Sequence, residues 1–169
     1  MKEVFINDAN LTDSDLDFSV IRVKGLIINS KGELLIAHNN GTYQFPGGHK
    51  EDDEEMNCCL CREIKEETGI DIDSDISPFM QITTYDNNYF DTGKKVSNQI
   101  FYYIIRSDEM PNFSETHYDE LECQTDFDLF YIRMNDLRGF LVESMKDGSL
   151  DPKIGREMLL VLDEYDRIK

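Results

Sequence analysis

The order of the predicted elements indicates an α/β (α+β) layered domain. Two observations carry this prediction. Runs of β-branched residues come early, and one helical segment interrupts the strands before the chain ends in helices. A length of 169 residues fits a single domain spanning 1–169, and a content of 40% hydrophobic and 11% aromatic residues is typical of a globular protein.

The predicted strands share β-branched and aromatic residues bounded by turn-forming residues. The predicted strands at 18–28 and 33–38 form a hairpin around Asn29-Ser30-Lys31-Gly32. The next predicted strand, at 43–45, ends at Pro46-Gly47-Gly48. The strands are predicted at 18–28, 33–38, 43–45, 79–85, 98–106 and 127–134.

The predicted helices share apolar residues at helical spacing. Asp52 or Asp53 is the expected N-cap of the first helix, and Gly69 takes the position after its C-terminus. The helices are predicted at 53–68, 135–145 and 153–168, and 107–125 is a predicted loop.

Charge excludes several classes of partner. With 17 basic and 35 acidic residues the formal net charge is −18, so anionic membranes and nucleic acid would repel the protein. No apolar run approaches the roughly 18 residues of a membrane span. The acidic N-terminal residues are unlike a signal peptide, and we therefore expect a cytoplasmic protein.

Four cysteines occur at positions 58, 59, 61 and 123. Cys58 and Cys61 form a C-x-x-C pair, but a zinc site needs two more ligands from Cys123, His38, His49 or His117, which show no second paired spacing. We therefore expect reduced cysteines that pack in a helix.

Three glutamates are crowded near the end of the first predicted helix. At about 100° per residue, Glu63, Glu66 and Glu67 share or border the apolar stripe, whereas Glu54, Cys61 and Lys65 fall on the solvent side. Clustered carboxylates repel one another and meet the negative end of the helix dipole. Two alternatives follow: acids without a common role at a ragged helix end, or a site for Mg²⁺ or Mn²⁺, which prefer oxygen ligands.

The segment from Gly48 to Ile70, GHKEDDEEMNCCLCREIKEETGI, resembles the Nudix box. Weaker likeness extends from Ser19 to Val142, where FYIRMNDL is similar to a family segment that commonly has proline at the position of Arg133. The fixed positions of the box are all filled, by Gly48, Glu54, Arg62, Glu63, Ile64, Glu66, Glu67, Gly69 and Ile70.

The resemblance to the Nudix hydrolase family implies a mixed β-sheet between helices. It also implies metal-dependent hydrolysis of a pyrophosphate bond in a nucleoside diphosphate linked to another group. The metal that the resemblance implies is Mg²⁺ or Mn²⁺. The implied metal ligands are Glu63, Glu66, Glu67 and the carbonyl of Gly48.

The resemblance also assigns catalytic roles to Glu63, Arg62 and Glu54, the last two as a pair that orders the motif. Gly47, Gly48 and His49 are expected at the substrate. Two sources of the general base stay open: Glu63, or a later-loop acid among Glu120, Glu122 and Asp126.

The sequence leaves the particular nucleotide derivative open. A non-catalytic module that senses a nucleotide or nucleotide sugar on the same fold is the alternative function. The oligomeric state also stays open, with a homodimer as an arrangement that is common in the family the chain resembles. Tyr85, Tyr89 and Phe90 either stack on a base or close a hairpin end, and Lys94 and Lys95 are candidate phosphate-attracting charges.

Overall fold

A computed structural model describes residues 1–39, 41–114, 116 and 127–169. The strands are β1 Lys2–Ile6, β2 Phe18–Ile28, β3 Glu33–Asn39, β4 Thr42–Gln44, β5 Met80–Asp86, β6 Val96–Arg106 and β7 Asp128–Arg133. The helices are α1 Met56–Thr68, α2 Met134–Asp147 and α3 Pro152–Ile168. Single turns of 3₁₀-helix lie at Asp13–Asp15 and Tyr89–Asp91.

The strands form one mixed sheet in the order β1-β5-β6-β2-β3-β4, with β7 paired to β3. β2 runs parallel to β6 along its whole length, from Phe18 opposite Val96 to Ile28 opposite Arg106. β2 and β3 are antiparallel but meet only at Ile28 and Leu34. Because β3 diverges from β2, the edge of β2 before residue 28 is open to another segment.

Helices cover both faces of the sheet, and each face has its own core. On one face, Leu60 and Ile64 of α1 pack against Val23 and Ile27 of β2. Alternate residues of β2 point to the other face and pack beneath α2 and α3. Burial of each such aliphatic side chain stabilises the fold by about 1.5–3 kcal/mol. The arrangement confirms the predicted sheet between helices.

The predicted strands agree with the structure to within a few residues at each end, but the structure differs from the expectations in three respects. The strand β1 was not predicted. The helix α1 begins at Met56 rather than 53, and Glu55 occupies the N-cap position without a side-chain hydrogen bond, in place of Asp52 or Asp53. Glu54 therefore precedes the helix, and its side chain is 14% exposed rather than on the solvent side.

The helix C-terminus is as predicted, since Gly69 ends α1 with a left-handed φ of 71°. Within the described residues, no helix combines the length and apolar character needed to cross a membrane.

Candidate active site

The loop between β4 and α1 fills the open edge of β2. The backbone N–H of Val23 donates to the carbonyl of Gly48 at 3.0 Å, and that of Gly25 donates to Pro46 at 2.8 Å. These bonds fix the start of the box against the sheet, so the loop has a defined position relative to α1. A bridge between Arg22 and His49 continues the pairing.

Two glycines permit this close approach. Gly47 has a φ of 128°, and a Cβ there would overlap the carbonyl oxygen of Val23. Gly48 lies against the carboxylate of Glu63, where a Cβ would overlap both oxygens. The glycine pair therefore lets the loop touch both the strand and the acidic end of α1.

Arg62 joins the carboxylates of the box. Its guanidinium donates to both oxygens of Glu54, at 2.8 and 2.9 Å. The Nη1 atom donates to Glu63 at 2.8 Å and to Glu66 at 2.9 Å, while Nη2 donates to the carbonyl of His49 at 3.0 Å. The hydrogen bonds from Arg62 lower the pKa of Glu54 to about 2, and the bond to Glu54 raises the pKa of Arg62.

Glu63 and Glu67 are the more buried members of the acidic trio. Burial raises the pKa of Glu63, while the charge of Arg62 opposes the shift. The Glu67 side chain points inward and is only 3% exposed. Its Oε2 accepts a hydrogen bond of 2.7 Å from the N–H of Gly47, which ties α1 directly to the loop.

Lys24 lies behind the loop as a buried cation, 6% exposed. Its ammonium donates to the carbonyl of Gly47 at 2.7 Å and to the side-chain oxygen of Gln44 at 2.9 Å. Burial lowers the pKa of Lys24, and the negative charges of Glu67 and Glu63 oppose that shift. Lys24 thus holds the loop and offsets part of the acidic charge around it.

Side chains beside the loop between β4 and α1 form a second, smaller hydrogen-bond network. Arg22 donates from Nε to Nε2 of His49 at 3.0 Å and from Nη2 to the hydroxyl of Tyr89 at 3.2 Å. The guanidinium also lies 5.7 Å from the ring centre of Phe90. Tyr89 and Phe90 thus reach the site mouth, whereas Tyr85 packs against Phe5 elsewhere.

The donor set fits a hard divalent cation. Glu63, Glu66 and Glu67 provide carboxylate oxygens, and Gly48 adds a backbone carbonyl. A cationic nitrogen of Arg62 already lies between Glu63 and Glu66, so two of these carboxylates converge on a positive charge. In the described part of the chain, no three His, Cys, Asp or Glu side chains are already grouped so that they could hold a metal ion. Glu63 and Glu66 each accept from Arg62 through one carboxylate oxygen, so the second oxygen of each side chain is left to contact a cation.

The structure brings the sequence-predicted site residues into one connected group. They are Gly47, Gly48, His49, Glu54, Arg62, Glu63, Glu66 and Glu67. The candidate bases Glu120, Glu122 and Asp126 lie outside the described residues.

Sequence reasoning missed Arg22 and Lys24. A signal was present, because both are charged and two residues apart in an otherwise apolar strand, which places them on one face of the sheet.

The cysteines of α1 occupy different environments. Cys58 is exposed, whereas Cys59 is buried and donates from Sγ to the carbonyl of His49 at 3.6 Å. Burial raises the pKa of Cys59 to about 12, so it stays a thiol. Cys61 donates to the carbonyl of Ile72. Cys123 and His117 lie outside the described residues.

Comparison with known protein families gives a match over most of the chain. The NUDIX domain matches residues 19–143. A "MutT-like protein" of Streptomyces ambofaciens is 39% identical over 57 residues, which are 32% of this chain and 37% of that protein. The matched segment thus spans little more than a third of that relative.

Solved structures show the same fold at low sequence identity. A MutT protein from Methanosarcina mazei Go1 matches with a TM-score of 0.57 and 21% identity, covering 89% of this chain and 96% of that one. A MutT NUDIX hydrolase from Burkholderia pseudomallei gives 0.53 and 18%, over 69% and 84% of the two chains. The Ap4A hydrolase of C. elegans gives 0.50 and 16%, over 88% and 97%.

Proposed function

The chain belongs to the Nudix hydrolase family, and from this premise we propose that it hydrolyses a pyrophosphate bond in a nucleoside diphosphate linked to another group. The proposed cofactor is Mg²⁺ or Mn²⁺, held by Glu63, Glu66, Glu67 and the carbonyl of Gly48. The proposed substrate is a small nucleotide derivative. A cytoplasmic location stays a prediction from the sequence, and the oligomeric state stays open.

The observation that carries this proposal is the convergence of Glu63 and Glu66 on one nitrogen of Arg62, directly beside Gly48. Carboxylates held this close repel one another unless a cation lies between them. A bound divalent ion would add to that compensation, offset the charge of the pyrophosphate and activate water for attack on phosphorus.

The remaining box residues hold this geometry. Arg62 and Glu54 form a two-bond ion pair that fixes the segment before α1 to the helix. The N–H of Gly47 positions Glu67, and Lys24 holds the carbonyl of the same glycine. These contacts orient the carboxylates without taking part in the reaction.

Two sources of the general base are tested by substitution. If Glu63 accepts the proton from water, Glu63→Gln lowers kcat whereas changes to the later acids have little effect. If the base comes from the later loop, one of the variants at Glu120, Glu122 or Asp126 shows the larger loss of kcat, by about 10²-fold or more.

The experiment that tests the function is a hydrolysis panel with purified protein. Nucleoside triphosphates, nucleotide sugars, ADP-ribose and dinucleoside polyphosphates are incubated with Mg²⁺, and release of phosphate or mononucleotide is measured. We expect turnover of at least one class, loss of turnover with EDTA and recovery with Mg²⁺ or Mn²⁺. Binding without turnover across the panel would instead support a nucleotide-sensing module, and turnover after thorough chelation would contradict the metal mechanism.

A further inference from the structure

A pocket lies between the sheet and α3, on the opposite side of Lys24 from the acidic end of α1. Its polar lining consists of Arg22, Lys24, Gln44 and Glu157, and its apolar lining consists of Phe45, Ile100, Ile154 and Met158. Lys24 connects the pocket to the loop, because its ammonium bonds both Gln44 and the carbonyl of Gly47. A ligand in the pocket is therefore one side chain away from the proposed site of phosphate chemistry.

Glu157 is the polar group that α3 contributes to this pocket. One carboxylate oxygen accepts a hydrogen bond from the hydroxyl of Tyr102. Within the described residues the other oxygen has no hydrogen-bond donor, and no cation lies within ion-pair distance. A half-buried carboxylate with one oxygen not bonded by the protein can accept a hydrogen bond from a donor that enters the pocket.

Other polar atoms around the pocket are also incompletely paired. The side-chain oxygen of Gln44 accepts from Lys24, but its NH₂ group has no acceptor among the described residues. The side-chain oxygen of Asn98, a residue 8% exposed, is buried without a partner in the same part of the chain. Asn98 lies two residues before Ile100 on β6 and so on the face of the sheet that lines the pocket.

The helix that carries Glu157 lies outside the residues that match the family. The match ends at residue 143, whereas α3 spans Pro152–Ile168. The chemistry shared by the family therefore does not dictate a carboxylate at this position. A carboxylate that lines the pocket from a helix outside that match is suited to distinguish one substrate from another.

We propose that Glu157 selects the base of the substrate, favouring rings with an N–H beside a C=O over rings with an amino group beside a bare ring nitrogen. The first class contains guanine, hypoxanthine and uracil, and the second contains adenine and cytosine. The proposal rests on the proposed function, since it takes the substrate to be a nucleotide.

The preference follows from matching donors to acceptors. The unused oxygen of an ionised Glu157 accepts the ring N–H, while the NH₂ of Gln44 donates to the neighbouring C=O. Adenine would place the lone pair of a ring nitrogen against the carboxylate, which repels it. Phe45 and Ile100 supply apolar walls for the flat faces of the ring.

The test measures binding and turnover separately, at mildly alkaline pH. Affinities for GMP, IMP and AMP are measured by calorimetry with EDTA present, so that no metal or turnover is needed. kcat/KM is then measured for GTP, ITP and ATP with Mg²⁺. We expect GMP and IMP to bind at least about 10-fold more tightly than AMP, with the same order in kcat/KM.

Glu157→Gln is the diagnostic variant because it keeps the acceptor for Tyr102 and loses the charge. We expect it to bring the guanine-to-adenine affinity ratio close to one, with the change in KM rather than kcat. Glu164→Gln is the matched control, since Glu164 lies two turns along α3 and pairs with Arg167 outside the pocket. That control should keep the wild-type ratio.

Equal affinity of the wild-type protein for GMP and AMP would overturn the proposal, as would a ratio unchanged by Glu157→Gln. If that variant fails to fold, Gln44→Met provides the second test, because losing the donor to the C=O should weaken GMP binding more than AMP binding. A clear base preference in binding together with no turnover of any nucleotide would contradict the proposed function but support this selection.

Discussion

The Lys24 ammonium lies between two regions that are built in different ways. The acidic region before and within α1 comes from one continuous stretch, Gly48 to Ile70. The pocket beneath α3 combines β2, β4, β6 and a helix near the C-terminus. The proposed reaction chemistry is therefore encoded locally, whereas the proposed selection of the substrate depends on how distant segments of the chain meet.

The largest expected effect is on the acidic region alone. Glu67→Gln removes a negative charge from the proposed metal site but keeps an acceptor for the N–H of Gly47. We expect kcat to fall by at least ~10²-fold while the circular dichroism spectrum and affinity for a mononucleotide stay unchanged.

Glu55→Gln is the matched control, because Glu55 is an exposed acid at the start of the same helix. Near-normal kcat for the Glu67 variant would show that this residue is not a ligand. An equal loss of kcat in both variants would indicate a general effect of charge rather than a defined site.

A second change should affect both regions at once. Lys24→Met removes the donor to Gly47 and Gln44, so two acceptors lose their partner and Glu67 loses a nearby positive charge. We expect the free energy of unfolding to fall by about 1–3 kcal/mol, measured by urea denaturation. Both base preference and kcat should decline.

Lys31→Met, at an exposed turn, is the control and should leave both properties as in the wild type. If Lys24→Met altered base preference but not turnover, or the reverse, the two regions would not be linked through this side chain.

The smallest expected effect is on stability in acid. The hydrogen bonds from Arg62 hold the pKa of Glu54 at about 2, below its ordinary value of 4.5. A carboxyl group with a lowered pKa in the folded state contributes stability above its unfolded pKa and loses that contribution as pH falls towards the folded value. The contribution of the Glu54–Arg62 ion pair to the free energy of unfolding should therefore decline as the pH falls from 4.5 to about 2.

Thermal melts of wild type and Glu54→Gln across that pH range check this expectation. The melting temperatures of the two proteins should differ most near neutral pH and converge in acid. A constant difference at every pH would show that the ion pair contributes nothing that depends on ionisation.

Local patterns were sufficient to predict much of the fold and the acidic region. The strand Phe18–Ile28 has the predicted bounds because its β-branched run ends at a turn, and Gly69 ends α1 as its residue type predicts. The strand β1 was missed because it is short and mostly exposed, and forms only by pairing with β5.

The start of α1 was misplaced for a related reason. Asp52 and Asp53 are good capping residues in isolation, but the segment is instead shaped by the ion pair between Glu54 and Arg62, which are eight residues apart. Glu157 gave no local signal, since an acidic residue on an amphipathic helix is ordinary. Only the packing of α3 on the sheet places it beside Tyr102.

The proposed function depends most on a divalent ion among the carboxylates of α1. The most direct measurement is a calorimetric titration of Mn²⁺ into the wild-type protein and Glu67→Gln without substrate. We predict saturable binding to the wild type and an affinity at least about 10-fold weaker in the variant. Identical titrations for the two proteins, or no saturable binding to the wild type, would contradict it.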